Sequence, residues 1–202
     1  MMKKDYVHVC VVLDASGSME SIEDDIKGSF NTFMAEQKKL QGKTVLDVFQ
    51  FSDTVKRIVE HADLADFKED LMASYFCCGM TALYDAVCTA VDTLGREFAA
   101  MPEEEHPESV IFAIITDGFE NASREYKLAD VKKRIDRQTK EYSWEFVYLA
   151  ANQSAFKAEE TSRAMGVHCS RSVMRQEDLA NMTSTVLCST LDRVRNRQRK
   201  RK

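Results

Sequence analysis

The sequence Val11-Val12-Leu13-Asp14-Ala15-Ser16-Gly17-Ser18-Met19 contains the point at which an apolar run, begun at Tyr6, gives way to a polar loop. The run is rich in β-branched residues, which is typical of a strand buried on both faces of a sheet. Asp14, Ser16 and Ser18 then follow at alternate positions and offer one carboxylate and two hydroxyls. Because open α/β sheets bind ligands at the carboxyl ends of their strands, this loop is a candidate binding site.

Two other segments carry oxygen-bearing side chains in comparable places. Residues 79–86 begin as a glycine-containing loop with Thr81 and continue as a helical pattern, and residues 110–118 form a second apolar strand that reaches Asp117. If the two strands are parallel neighbours, all three loops meet. For Asp14 or Asp117 alone we would favour a cap on the following turn. The five positions together favour a metal site, because hard oxygens suit Mg²⁺, Mn²⁺ or Ca²⁺.

These residues resemble a known motif. The combination of Asp14-x-Ser16-x-Ser18 with Thr81 and Asp117-Gly118 is similar to the metal-ion-dependent adhesion site of von Willebrand factor type A domains. The resemblance extends from about residue 6 to at least residue 150. The finer pattern, in Gly79-x-Thr81-Ala-Leu and Thr116-Asp117-Gly118-Phe-Glu120-Asn121, resembles the free-standing A domains of bacteria and their phages.

The resemblance implies how the site would work. Hydroxyls would reach the metal directly, and the two carboxylates would often act through bound water. Apart from the resemblance, we expect Glu120 and Asn121, just beyond Asp117, to brace the loop and not to bind the ion. Mg²⁺ is the expected ion, with Mn²⁺ or Ca²⁺ as alternatives, and an Asp or Glu side chain of a partner protein would complete its coordination. The expected metal ligands are Asp14, Ser16, Ser18, Thr81 and Asp117.

Composition limits the class of protein. The chain has 202 residues, of which 44% are hydrophobic and 30% charged, and its net charge of −5 provides no overall basic face for nucleic acid. We expect one domain over residues 1–192 and a basic tail over 193–202. No signal-peptide pattern, membrane-spanning run or CxxC pair is found, so we expect a cytoplasmic protein that contacts no membrane and keeps its six cysteines reduced.

Apolar periodicity predicts alternating strands and helices. The predicted strands cover residues 6–13, 45–51, 55–60, 109–116, 144–151 and 167–170. The predicted helices cover residues 21–41, 82–98, 126–141, 155–165 and 179–194, with a further short helix within 63–72. This order predicts a doubly wound α/β fold: a mostly parallel central sheet, one antiparallel edge strand, and helices on both faces, as in a Rossmann-like A domain.

Three functions are compatible with these patterns. The first is a metal-dependent protein-binding module that acts as an adaptor or assembly factor. The second is a metal-dependent phosphoester hydrolase, although no catalytic motif is found and position 16 lacks the second carboxylate that an aspartyl phosphatase would need. The third is a scaffold that binds nucleic acid through its basic tail. We expect a binding protein and not an enzyme, and we expect His8 to be a core or sheet-face residue.

Overall fold

A computed structural model describes residues 6–37, 39, 42–66, 73–150, 155–169 and 179–200. Its centre is one sheet of six strands in the order β3-β2-β1-β4-β5-β6. The strands are β1 (Tyr6–Asp14), β2 (Lys43–Phe51), β3 (Val55–Asp63), β4 (Ser109–Thr116), β5 (Glu145–Ala150) and β6 (His168–Cys169). All neighbouring pairs are parallel except β2 and β3, which form an antiparallel hairpin at one edge.

Helices cover both faces of this sheet. They are α1 (Glu23–Gln37), α2 (Leu83–Ala100), α3 (Leu128–Tyr142), α4 (Ala155–Met165) and α5 (Leu179–Lys200). Side chains of α1 and α5 pack on one face, and side chains of α2 and α3 pack on the other. The predicted doubly wound, mostly parallel fold with one antiparallel edge strand is therefore confirmed.

The central strand β1 is buried on both faces, as its apolar run predicts. Val9 and Val11 belong to the core beneath α1 and α5, whereas Cys10 and Val12 belong to the core beneath α2 and α3. Each of these four side chains is completely inaccessible to solvent. Strand β1 pairs with β2 on one side and with β4 on the other, so backbone hydrogen bonds hold it along both edges.

Several boundaries differ from the predicted ones. A 3-10 turn occupies Gly17–Ile22, so α1 begins at Glu23 and not at Ser21. Strand β3 continues beyond Glu60 to Asp63 because its last residues still pair with β2. Of the short helix predicted within 63–72, residues 67–72 lie outside the described residues.

The boundary predicted at residue 193 does not coincide with the end of a helix. Helix α5 continues to Lys200, and Arg195 within it is buried and donates a hydrogen bond of 2.6 Å to Thr44 Oγ1 on β2. Arg193 and Arg197 form ion pairs with Glu145 at the start of β5, with N–O distances of 3.2 and 2.7 Å. Much of the basic segment therefore contacts the sheet of its own domain.

Within the described part of the chain, no helix is both long enough and apolar enough to cross a membrane. Free thiols are found at Cys10, Cys77, Cys78, Cys88 and Cys188.

Candidate metal centre

Three loops meet at the carboxyl edge of β1 and β4. The two strands are parallel neighbours, with Leu13 opposite Ile115, so the loops that follow them begin side by side. The loop before α2 joins them through main-chain hydrogen bonds. Gly17 N donates to Gly79 O at 3.1 Å, and Cys78 N donates to Ala15 O at 2.7 Å. The convergence expected from the sequence is therefore present in the structure.

Asp14 lies at the base of this site and is completely buried. Its Oδ1 accepts a hydrogen bond of 2.7 Å from Ser16 N, and its Oδ2 accepts one of 2.5 Å from Thr116 Oγ1. Burial raises the pKa of Asp14, although these hydrogen bonds oppose the rise. A cation at this position would remove the cost of burying the negative charge.

A chain of hydroxyls connects Asp14 with Asp117. Ser16 Oγ lies 3.1 Å from Ser18 Oγ, and Ser18 Oγ donates a hydrogen bond of 2.7 Å to Asp117 Oδ1. Burial also raises the pKa of Asp117, which is partly exposed at the mouth of the site. Four of the five expected ligands are thus brought together in the structure.

Thr81, the fifth expected ligand, lies against Gly118. A Cβ atom placed on Gly118 would lie 3.1 Å from Thr81 Oγ1 and 3.7 Å from Asp14 Oδ2. The absence of a side chain at this glycine lets the Thr81 hydroxyl and the Asp14 carboxylate approach the same small space. The Thr81 side chain is buried, so its position is fixed by packing.

The loop after β4 is held to the start of α2. Thr81 N donates to Asn121 Oδ1 at 2.9 Å, and Asn121 N donates back to Thr81 O at 3.0 Å. Glu120 accepts hydrogen bonds from the backbone N–H groups of Tyr84 and Ser123 and from the Ser123 hydroxyl. Glu120 and Asn121 therefore brace the loops, as expected from their place just beyond Asp117.

Three further residues support the site. The Thr116 hydroxyl holds Asp14, and Tyr75 donates a hydrogen bond of 2.6 Å from its hydroxyl to Asp14 O. Asp53 Oδ2 accepts a hydrogen bond of 3.2 Å from Met80 N beside Gly79, whose φ is +79°. Thr116 ends a strand directly before an expected ligand, but its sequence pattern is that of any β-branched strand residue. Nothing in the sequence around Tyr75 indicates its role.

The donor set fits a hard divalent cation. Two carboxylates would balance the charge of the ion, and three neutral hydroxyls would add oxygens without further charge. Among the described residues, the large hydrophobic side chains that are exposed include Phe76, Met80 and Phe119, with exposed fractions of 65, 50 and 46%. All three belong to the loops that carry the site. An apolar rim, formed by Phe76, Met80 and Phe119, therefore accompanies the polar centre.

A second group of potential metal ligands lies elsewhere in the sheet and was not predicted. It consists of His8, Asp47 and His61, whose ligand atoms lie within 4.8 Å of one another. His8 is six residues before Asp14 on β1, which places the two groups about 20 Å apart along the strand. His8 is completely buried, as expected for a core residue, but it contacts polar partners.

No protein-family model matches the chain, and a search of curated proteins found no match. Solved structures do match it. A von Willebrand factor type A protein from Catenulispora acidiphila aligns with 91% of this chain at a TM-score of 0.62 and 14% identity. The PilB minor pilin from Streptococcus sanguinis aligns with 96% at a TM-score of 0.68 and 12% identity.

An aerotolerance-related membrane protein from Bacteroides fragilis aligns with 93% of this chain at a TM-score of 0.57 and 13% identity. The chain spans 42% of the Catenulispora protein and 63% of the pilin, but 99% of the Bacteroides structure. At these identities the likeness concerns architecture. The chain therefore has a fold similar to that of a von Willebrand factor type A protein, with its candidate metal centre at the carboxyl edge of the sheet.

Proposed function

We propose that this chain is a divalent-metal-dependent protein-binding module of the type A class. Mg²⁺ would be held by Asp14, Ser16, Ser18, Thr81 and Asp117, and a carboxylate of a partner protein would complete its coordination. The observation that carries this proposal is the approach of the Thr81 hydroxyl, the Ser16–Ser18 hydroxyl pair, the buried Asp14 carboxylate and the partly exposed Asp117 carboxylate to one edge of the sheet. The pattern Gly79-x-Thr81-Ala-Leu, which resembles that of the free-standing A domains of bacteria and their phages, supports this subtype.

The charge of the site favours an acidic partner group. Mg²⁺ prefers six oxygen ligands and retains some of its water. The two carboxylates balance its charge formally, but carboxylates that act through bound water screen the ion incompletely, and the hydroxyl ligands are neutral. When bound, the ion would supply an electrophilic position that a carboxylate fills directly. The chain's own part is to hold the hydroxyls and to fix both carboxylates by hydrogen bonds from Ser16 N, Thr116 and Ser18.

The apolar rim indicates what surrounds that carboxylate. Phe76, Met80 and Phe119 are more exposed than large hydrophobic side chains usually are, and exposed apolar groups ringed by polar ones are typical of protein-binding sites. We therefore propose a partner segment in which an Asp or Glu is flanked by apolar residues. Two of the structural neighbours are named as a pilin and a membrane protein, but their likeness concerns the fold, which does not fix function.

The other two functions receive less support from the site. A hydrolase needs a free general acid or base, and the Glu120 carboxylate in the adjoining loop already accepts several hydrogen bonds. A nucleic-acid scaffold needs an available basic surface, and Arg193, Arg195 and Arg197 contact their own domain. We therefore propose binding without catalysis.

Calorimetric titration with Mg²⁺, Mn²⁺ and Ca²⁺ tests the metal site. The informative variant is Asp117→Asn, which preserves the shape and the hydrogen bond from Ser18 but removes the charge. Its matched control is Asp66→Asn, on an exposed turn after β3. We expect wild type and the control to bind one divalent ion and Asp117→Asn to bind at least about tenfold more weakly. Equal affinities in all three proteins would refute the proposed ligand set.

Partner capture tests the function. Extracts of the native host would be passed over wild type and Asp117→Asn, with Mg²⁺ and again with EDTA. We expect a partner that wild type retains only with Mg²⁺ and that Phe119→Ser weakens. Tyr142→Ser, which removes an aromatic ring that is 56% exposed on α3, is the matched control. Retention of the same proteins under all conditions would show that the metal centre is not the binding surface.

A further inference from the structure

The second group of ligands joins three adjacent strands near the other end of the sheet. His8 on β1 and His61 on β3 both approach a single atom of Asp47 on β2. His8 Nε2 lies 2.7 Å from Asp47 Oδ2, and His61 Nδ1 lies 2.9 Å from the same oxygen. Within the described sheet, β3 pairs with β2 alone, so His61 and His8 come from strands that share no backbone hydrogen bonds there.

A bulge in β3 brings His61 into this group. Leu46 is opposite Ala62 and Val48 is opposite Val59, so the single residue Asp47 faces both Glu60 and His61. His61 has a φ of 45°, which is rare for a residue other than glycine. An unfavourable backbone conformation of this kind persists where the surrounding structure holds it, and it is often found at functional sites. Here its effect is to direct an imidazole toward Asp47.

Each of the three residues also has a partner for its other polar atom. Tyr6 Oη lies 3.2 Å from His8 Nδ1, Glu97 Oε2 lies 3.4 Å from His61 Nε2, and Arg57 Nε donates to Asp47 Oδ1 at 2.6 Å. Metal-bound histidines usually donate their second N–H group to such a partner, which fixes the tautomer and the ring orientation. The protons now shared with Asp47 Oδ2 can therefore move to the far nitrogen of each ring, where acceptors are already present.

The net charge of the group is negative and therefore favours a cation. Arg57 carries one positive charge, and Asp47 and Glu97 carry one negative charge each. The Arg57 guanidinium donates to the two Glu97 carboxylate oxygens at 2.7 and 3.0 Å. It also lies 3.3 Å from His61 Nδ1. Burial lowers the pKa of His8, although Asp47 opposes this change, and the lowering favours the neutral imidazole that a metal ligand requires. Burial alone would raise the pKa of Asp47, but His8 and Arg57 lower it to about 2. With neutral imidazoles, these three charges sum to −1.

We propose that His8 Nε2, Asp47 Oδ2 and His61 Nδ1 bind one Zn²⁺ ion, with water as the fourth ligand. Two imidazole nitrogens and one carboxylate oxygen are a ligand set that Zn²⁺ accepts, and they differ from the all-oxygen set at the carboxyl edge. His8 and Asp47 are completely buried, whereas the His61 side chain is 33% exposed and provides the side from which an ion and water enter. The ion ties the edge strand β3 to the central strand β1.

Metal titration can separate this site from the magnesium centre. The protein would carry Asp117→Asn and would be kept in excess Mg²⁺, so that Zn²⁺ competes only weakly at the other edge. Zn²⁺ affinity would be measured by competition with a chromophoric chelator, and Co²⁺ would be added separately to record the visible absorption of a tetrahedral site. His61→Asn is the test variant, because asparagine tolerates a positive φ but its amide is a poor zinc ligand. His106→Asn, outside the group, is the control.

We expect one Zn²⁺ per chain in the Asp117→Asn background and in the control, with a raised melting temperature and a tetrahedral Co²⁺ spectrum. His61→Asn should lower the Zn²⁺ affinity at least about tenfold while its far-ultraviolet spectrum stays unchanged. Zn²⁺ that fails to bind, or that binds His61→Asn as tightly as the control, would overturn the proposal. The group would then be a closed hydrogen-bond network, and the result of the Mg²⁺ titration would be unaffected.

Discussion

The Thr116 hydroxyl donates a hydrogen bond of 2.5 Å to Asp14 Oδ2 and so joins the last residue of β4 to the last residue of β1. Both side chains are completely buried. The same hydroxyl accepts a hydrogen bond of 3.1 Å from Gly118 N, in the loop that carries Asp117. One threonine that is not itself an expected ligand thus positions two of the loops that form the metal centre.

Replacement of this threonine by valine should weaken metal binding. Thr116→Val preserves shape but leaves Asp14 Oδ2 without its donor, and loss of a group that orients a ligand costs about 10- to 100-fold in metal affinity. Calorimetric titration with Mg²⁺ would measure the change. Thr32→Val, at an exposed position of α1, is the control and should bind as wild type does. Unchanged affinity in Thr116→Val would show that Asp14 needs no orientation from β4.

Gly79→Ala should destabilise the loop that carries Thr81. A Cβ atom at residue 79 would clash with Asp53 Oδ2, and the φ of +79° is unfavourable for alanine. We expect the free energy of unfolding to fall by about 1–2 kcal/mol. Gly28→Ala is the matched control, because it lies within α1 and its Cβ would meet no atom within 4 Å.

This control should raise stability by about 0.5–1 kcal/mol, since alanine favours helix more than glycine does. Urea unfolding of the two variants beside wild type would measure both changes. If both substitutions lower the free energy of unfolding, or both raise it, the clash and the positive φ at residue 79 do not explain the result.

Deletion of residues 193–202 should destabilise the domain. The deletion removes Val194 and Arg195, which are 2 and 6% exposed, and with them the hydrogen bond to Thr44. We expect a loss of about 2 kcal/mol or more, seen as a lower melting temperature.

The double variant Arg193→Gln/Arg197→Gln removes only exposed ion pairs with Glu145 and should cost less than about 1 kcal/mol. It is therefore the better variant for testing whether the basic segment binds nucleic acid. A truncated chain as stable as wild type would show that residues 193–202 are a dispensable tail after all.

Cys78 should react with thiol reagents before its neighbour Cys77. Cys78 is exposed, whereas Cys77 is buried and its burial raises the pKa of its thiol to about 11. Brief treatment of the folded protein with iodoacetamide, followed by fragmentation mass spectrometry, would locate the label. Cys78→Ser should lose the early label, and equal labelling of both cysteines in wild type would contradict the structure.

The sequence was most informative where a side chain directly follows a strand. Asp14 and Asp117 stand at or beside the ends of two parallel strands, so a periodic pattern was enough to bring their loops together. Thr116 was missed because it completes an apolar run and resembles any β-branched strand residue. The approach of His61 to Asp47 could not be predicted, because it depends on a bulge that changes the register of β3. No local sequence pattern indicates this bulge.

Helix ends were predicted less well for a similar reason. Beyond Val194 the buried residue that is described in α5 is Arg195, and an arginine is typical of a solvent-exposed segment. Its burial depends on Thr44, which lies 151 residues earlier in the chain. Contacts of this kind arise from tertiary packing and leave no periodic signal.

Several main-chain hydrogen bonds hold the loop before α2 in place. Gly17 N donates to Gly79 O, Cys78 N donates to Ala15 O, and Ala82 N donates to Ser52 O. Such bonds do not depend on which side chains the loop carries. Phe76 and Met80 could therefore be replaced by other residues to select a different binding partner. The backbone hydrogen bonds would keep the loop, and with it the geometry of ion binding, in place.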